Sequence, residues 1–169
     1  MISAISLGQD PDDAREQMRQ LHYLNELESI GDTIDKNLSE LVIKQMGLGV
    51  DFSQQGWQDL DSFYGKVSDN MLIAETVFAT GDRIIAQKLL RHEVEIDKVE
   101  RELRDRHFER LNAGLQESFE TSSIHLDMLS YLQRINGSVC KVAQGVLEKE
   151  RQQTDSRPEY SEPPDTETV

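Results

Sequence analysis

Cysteine, proline and long apolar runs are all scarce in this sequence of 169 residues, and each shortage excludes a class of protein. The single cysteine, Cys140, excludes an internal disulfide framework and fits a reducing compartment. No run approaches the roughly 20 apolar residues that span a bilayer, and the short acidic start is unlike a signal peptide. We therefore expect a cytoplasmic chain that does not itself insert into a membrane. Whether this chain is part of a parent protein in the inner membrane stays an open question.

Positive charge is also in short supply, with 18 basic residues against 32 acidic ones and a formal net charge of −14. Such a chain repels nucleic acids and anionic membrane surfaces, so neither is expected as a partner. Cations or a basic protein surface are the natural complements of this charge.

Catalytic motifs are absent too. The sequence has no glycine-rich phosphate loop, no CxxC pair and no nucleophile elbow. The Glu-x-x-His spacing of ferritin-like di-iron bundles does not occur either. In the third helical segment, His92, Glu95 and Asp97 are candidates for a site, but His92 occupies a heptad core position where a hydrogen-bonded core histidine is the alternative. We predict that the chain is not an enzyme.

What the sequence does contain is four stretches with apolar residues at helical spacing, separated by glycine turns. Long helices joined by short loops pack antiparallel, so we predict an all-α, antiparallel up-down four-helix bundle. The predicted helices span about 11–47, 53–80, 83–113 and 122–149. The predicted domains are a flexible N-terminus (1–10), a helical bundle (11–150) and a disordered acidic tail (151–169) that contains three of the four prolines.

The first and fourth segments resemble each other. A shift of 105 residues aligns Leu24 with Leu129 and Ile30 with Ile135. If this repeat is real, its unit is three helices, and the chain contains the last helix of one unit and all three of the next. Two helices are then missing at the front, and whether Met1 is the native start or a fragment boundary stays open.

Acidic residues gather in the first segment, where Glu28, Asp32 and Asp35 line one side of the predicted helix. A cluster of carboxylates suits a hard cation. The alternative is a solvated strip paired to Lys36 or Arg134, which is the usual role of charges along a helix. The acidic strip borders the apolar stripe of the same segment, and Gly31, near the middle of that apolar stripe, is most simply a notch where another helix packs closely.

The stretch Leu27-Glu28-Ser29-Ile30-Gly31-Asp32 resembles the L-E-R-I-G-D motif of the PhoU family of phosphate-uptake regulators, which consist of two tandem three-helix repeats. The second copy, at 132–137, keeps the pattern of Leu, Arg and Ile but has Gln133 in place of Glu and Gly137 in place of Asp. Glu95-Ile96-Asp97 is similar to the E-x-I-D-x-L stretch of the same family, with Val99 in the place of Leu.

The resemblance implies a site and a function. In the family, the acidic pairs of both repeats bind iron or zinc clusters, so Glu28, Asp32 and Asp35 are the metal candidates, while the second copy is degenerate at Gln133 and Gly137. We expect no cofactor, or at most one divalent or iron ion at the first copy.

The resemblance further implies a regulatory module for phosphate uptake, which we expect to be the C-terminal cytoplasmic domain of a bacterial Na+/phosphate cotransporter. A stand-alone regulator of a phosphate ABC transporter and its sensor kinase is the first alternative, and a generic helical signalling or scaffold bundle is the second. The expected partners are the membrane domain of a phosphate transporter or a signalling protein, and a homodimer stays open.

Overall fold

The computed structural model describes residues 11–155, with side chains at 13, 14 and 16–148, and all its secondary structure is helical. The all-α class predicted from the sequence is therefore confirmed. The elements are α1 (Pro11–Asp32), a π-helical segment (Thr33–Leu38), α2 (Ser39–Leu48), α3 (Gln54–Thr80), α4 (Arg83–Asn112), α5 (Gln116–Glu120) and α6 (Ser122–Asp155).

The helix ends are determined by local chemistry that the sequence already displays. The Ser53 side chain accepts the backbone N–H of Gly56 at 3.2 Å and so caps α3. Gly81 ends that helix in the left-handed region, at a φ of 64°, where glycine is favoured. Asp82 then caps α4 by accepting the backbone N–H groups of Ile84 and Ile85 at 2.7 and 3.0 Å. The short helix α5 and the π-helical segment were not predicted.

The main core lies between α3, α4 and α6, where the predicted apolar stripes meet. Burial of this apolar surface is the principal force that holds the three helices together. The core includes Phe63 and Val67 of α3, Leu89, Ile96 and Leu103 of α4, and Leu129, Ile135 and Val139 of α6.

Contacts between side chains give the direction of each helix. α6 runs antiparallel to α1, α2 and α4 and parallel to α3, so successive long helices alternate in direction. The predicted antiparallel four-helix bundle is not established in this exact arrangement, because α1 packs mainly on α6 beside the three-helix unit of α3, α4 and α6. Each direction rests on two contacts with α6: Glu26–Lys141 and Lys44–Ser123 for α1 and α2, Gly56–His125 and Asn70–Asn136 for α3, and Asp97–Gln133 and Arg104–Ser130 for α4.

The first helix buries a different face from the one that its leucines suggest. The residues of α1 that are buried include Glu26 and Ile30, and Thr33 follows in the π-helical segment. The stripe predicted for the first segment is divided. Its members Ile30 and Leu41 are buried and Leu38 packs against the core. The others are outside the core: Leu21, Leu24, Leu27 and Ile34 are 52%, 58%, 37% and 48% exposed.

The predicted tail begins inside a helix, since α6 continues beyond residue 151 to Asp155. The remaining predictions for 1–10 and 156–169 lie outside the described residues.

Candidate functional site

The three metal candidates of the first copy lie on the surface. Glu28 and Asp32 are on α1 and Asp35 is in the π-helical segment, and all three are exposed. Lys36 Nζ donates to Asp32 Oδ2 at 2.7 Å, and this hydrogen bond, with the charges of Asp32, Asp35 and Glu28, raises the pKa of Lys36. Among the described residues no group of three His, Cys, Asp or Glu side chains is placed to hold a metal ion.

Gly31 is not a packing notch within this fold. A Cβ atom added there would meet no atom within 4 Å, so the surface beside it is open. Exposed apolar side chains surround it on the side of α1 that faces away from α6. We call this surface the open face; it consists of Leu21, Leu24, Leu27, Gly31 and Ile34, with Glu28 and Asp35 among them.

The π-helical segment begins directly after the acidic motif. It has six residues, and its wider turn is closed at Ser39, whose backbone N–H and hydroxyl both reach the carbonyl oxygen of Ile34. One extra residue per turn changes which positions face the core, so Leu41 of α2 is buried although Ile34 is not. π-helical turns within α-helices are frequent at functional sites, which draws attention to this position.

The second copy has the opposite environment, because it packs against α4. Gln133 Nε2 donates to Asp97 Oδ1 at 3.0 Å. Burial and the nearby charge of Asp97 raise the pKa of Glu93, one turn earlier on α4. A glutamate at 133 would add a third carboxylate beside Glu93 and Asp97. The glutamine amide adds no charge and donates a hydrogen bond to Asp97 instead. The degenerate second copy therefore contributes a structural hydrogen bond between α6 and α4.

A second group of polar side chains lies in the middle of the bundle. Asn70 Nδ2 donates to Asn136 Oδ1 at 2.8 Å, and Asn70 Oδ1 lies 3.0 Å from His92 Nδ1. His92 is half-buried and hydrogen-bonded to a buried asparagine, which is close to its alternative interpretation. Burial, with the charges of Glu93 and Asp97, raises the pKa of Cys140 to about 12, so its thiol stays protonated, as expected for an inert buried cysteine.

The sequence reasoning missed a charged cluster at the end of the bundle. Asp59 Oδ2 accepts from Arg110 Nη1 at 2.7 Å, and Asp59 Oδ1 lies 3.2 Å from Arg106 Nη2. Beside it, the rings of His107 and His125 stack with centroids 4.6 Å apart. The four-residue spacing of the two arginines on one helix face was a visible signal, but Asp59 is 51 residues away from Arg110 and only folding brings them together.

The structure therefore brings some predicted residues together and separates others. Asp97 meets Gln133, a contact that the sequence did not predict. The acidic residues of the first copy share no hydrogen bond or ion pair with Gln133 or Gly137 in the described part of the chain. Between residues 11 and 155, no helix is long and apolar enough to cross a membrane.

Comparison with known proteins confirms the resemblance to the PhoU family. The family model described as "PhoU domain" matches residues 61–146, just over half of the chain. The chain is 34% identical over 134 residues to the "Putative inorganic phosphate export protein YjbB" of Salmonella typhimurium LT2, and equally so to its namesake in Escherichia coli K12. Each match covers 79% of this chain but only 24% of the relative, so the chain spans about a quarter of the length of these proteins. No solved structure matches significantly. On the family model's match, this chain belongs to the PhoU domain family.

Proposed function

We propose that this chain is a PhoU-like regulatory module of a larger phosphate-transport protein, and that it acts by binding through the open face rather than by catalysis. The open face is the observation that carries the proposal. It joins exposed leucines, an unobstructed glycine and the carboxylates of the family motif on one side of α1.

The chemistry of the open face indicates what it binds. Exposed apolar residues that cluster mark a contact site more often than isolated ones do. Gly31 allows the backbone of another helix to approach closely. Glu28 and Asp35 add negative charge, so the partner we propose is an amphipathic helix with basic flanks.

We place this partner in the transporting part of the parent protein. The relatives extend well beyond the region that this chain matches, and their name refers to phosphate export. The finer proposal is the cytoplasmic C-terminal domain of a Na+-dependent phosphate cotransporter. A module that binds one conformation of a transporter more tightly shifts its equilibrium, and such a shift can regulate flux in either direction.

Phosphate flux in cells that express the parent protein tests this proposal. We expect Leu24→Gln to change the flux at equal protein levels, because it places a polar group on the open face. Leu72→Gln is the matched control, since Leu72 is 61% exposed on α3 and Leu24 is 58% exposed on α1. Equal flux for the two variants and the unmodified protein would contradict the proposal. Loss of flux on removal of the Na+ gradient would support the cotransporter, and unchanged flux would contradict that finer assignment.

A second candidate is a helical scaffold that dimerises through the same surface. The apolar surface continues along α2, where Ile43 and Met46 are 70% and 78% exposed, and a second copy could cover it. Light scattering on the purified chain would distinguish the candidates. A dimer that Leu24→Gln dissociates supports the scaffold, and a monomer at all concentrations rules it out.

A further inference from the structure

A cavity of about 460 Å³ opens at the end of the bundle where α3 begins and α4 ends. These two ends meet because the helices are antiparallel. The volume lies within the range of small-molecule sites. Its polar lining is two glutamines, two arginines and two carboxylates: Gln55, Gln58, Arg106, Arg110, Asp59 and Glu109.

Two arginines of this lining share one carboxylate. Asp59 pairs with both Arg106 and Arg110. Arg110 and Asp59 are each only 6% exposed, so they form a balanced buried pair, whereas Arg106 and Glu109 are exposed at the cavity. The observation that points to a ligand is therefore the unused hydrogen-bonding capacity of Arg110, with Arg106 as an accessible cation beside it.

Arg110 also has hydrogen-bonding capacity to spare. Its Nη1 group binds Asp59, while its Nε and Nη2 groups are buried and have no hydrogen-bond partner among the described residues. Buried donors without partners are rare and need an explanation. The Nε and Nη2 groups form the fork that binds carboxylate or phosphate oxygens in a bidentate manner. Arg110 is one of the residues that line the cavity, so this fork lies next to it.

The start of α3 adds donors of its own. Gln55 and Gln58 lie in the first turns of this helix, and both are exposed. Their amide groups can donate to an oxygen atom, and the positive end of the helix dipole favours an anion at the same place.

We propose that this cavity binds a phosphate group, either inorganic phosphate or the phosphate of a larger molecule such as a lipid headgroup. Arg106 and Arg110 supply the charge, Gln55 and Gln58 donate to the remaining oxygens, and Asp59 positions the two guanidinium groups. The two guanidinium groups and the two amide groups suit a tetrahedral oxyanion, and the choice of phosphate among such anions rests on the proposed function.

Titration of the full chain with inorganic phosphate at constant ionic strength, followed by NMR of the arginine Nε–H and glutamine amide signals, tests the site. We expect saturable shifts at Arg106, Arg110 and Gln58. Gln58→Glu should weaken phosphate binding by roughly tenfold, equivalent to about 1.4 kcal/mol, because it puts a carboxylate on the cavity wall. Gln87→Glu, at an exposed position near the opposite end of α4, adds the same charge and should change the affinity less than twofold.

Parallel titrations with glycerol phosphate, with phosphatidic acid vesicles and with sulfate distinguish the ligands. The site is supported if inorganic phosphate, glycerol phosphate or phosphatidic acid binds saturably and Gln58→Glu weakens that binding. The compound that binds then shows whether the ligand is free phosphate or a lipid headgroup. Equal binding of sulfate would overturn the assignment to phosphate. No saturable shift with any oxyanion, or equal weakening by Gln87→Glu, would overturn the site itself. None of these readouts depends on the open face, so the proposed function can fail in the flux assay independently.

Discussion

Lys141 Nζ lies 2.9 and 3.0 Å from the two carboxylate oxygens of Glu26, and this ion pair holds α1 against α6 across 115 residues of sequence. Glu26 is only 8% exposed. Burial by itself raises the pKa of Glu26, but hydrogen bonds from Lys141 and Ser138 and the charges of Lys141 and His22 outweigh it, so the net effect lowers that pKa. The pair therefore helps to decide which face of α1 is inside.

Removing the cation of this pair should destabilise the fold. We expect Lys141→Met to lower the free energy of unfolding by about 1–2 kcal/mol, because a buried carboxylate loses its partner. Lys36→Met is the matched control, since Lys36 is the equivalent lysine of the repeat and its pair with Asp32 is exposed. Urea unfolding measures both. Equal stability of Lys141→Met and the unmodified chain would show that the pair does not hold α1.

Acid should weaken the fold through the stacked histidines. Burial, followed by the charges of His107 and Arg110, lowers the pKa of His125 from 6.5 to about 4, although a hydrogen bond to Gly56 and the charge of Asp59 oppose this. The unfolded chain then binds more protons than the folded chain between these two values, so stability is complete above pH 6.5 and falls as the pH approaches 4.

Between pH 6.5 and about 4, the free energy of unfolding should fall by about 3 kcal/mol. Urea unfolding at a series of pH values measures this fall. His125→Gln should flatten this pH dependence, whereas His22→Gln, at an exposed position, should change it far less, through the charge that His22 places near Glu26. The lowered pKa of Glu26 acts in a separate window, because its contribution is lost only as the pH falls below 4.5. A slope that His125→Gln does not alter would contradict the assignment.

Restoring the carboxylate at the second copy should be unfavourable. We expect Gln133→Glu to cost about 1–3 kcal/mol near neutral pH, because it replaces a hydrogen bond to Asp97 with repulsion beside Glu93. The penalty should decrease in acid, where the carboxylates become protonated. Gln144→Glu, exposed on the same helix, is the control for added charge. A stable Gln133→Glu variant without bound metal would show that the amide is not needed there.

Metal binding at the first copy should be weak or absent. Glu28, Asp32 and Asp35 are exposed, and Asp32 already binds Lys36. Elemental analysis of the purified chain should therefore find no stoichiometric transition metal. A stoichiometric metal that disappears in a Glu28→Gln/Asp32→Asn variant would contradict this prediction and restore the family site.

Local features of the fold could be predicted because their causes are local. Ser53 and Asp82 cap helices by bonding backbone groups two or three residues away, and Gly81 ends a helix by its own conformation. Apolar residues recur at helical spacing along α4 and α6, so core positions such as Leu103 and Leu129 followed from periodicity.

The orientation of α1 could not be predicted in the same way. This helix has leucines on one side and Glu26, Ile30 and then Thr33 on another, and hydrophobicity alone favours the leucines. The structure buries the second side instead. Because the other side of α1 is buried, Gly31 lies on an open surface and is not the packing notch that we expected.

The sequence by itself determined the helical class, the capped ends of α3 and the start of α4, and the family motif, because capping, periodicity and motif spacing involve residues close together in the chain. Only the tertiary structure decided which copy of the motif is enclosed. Gln133 meets Asp97, and Glu26 meets Lys141, through contacts between residues 36 and 115 positions apart. Those contacts enclose the second copy against α4 and leave the first copy, with its carboxylates, on the open face.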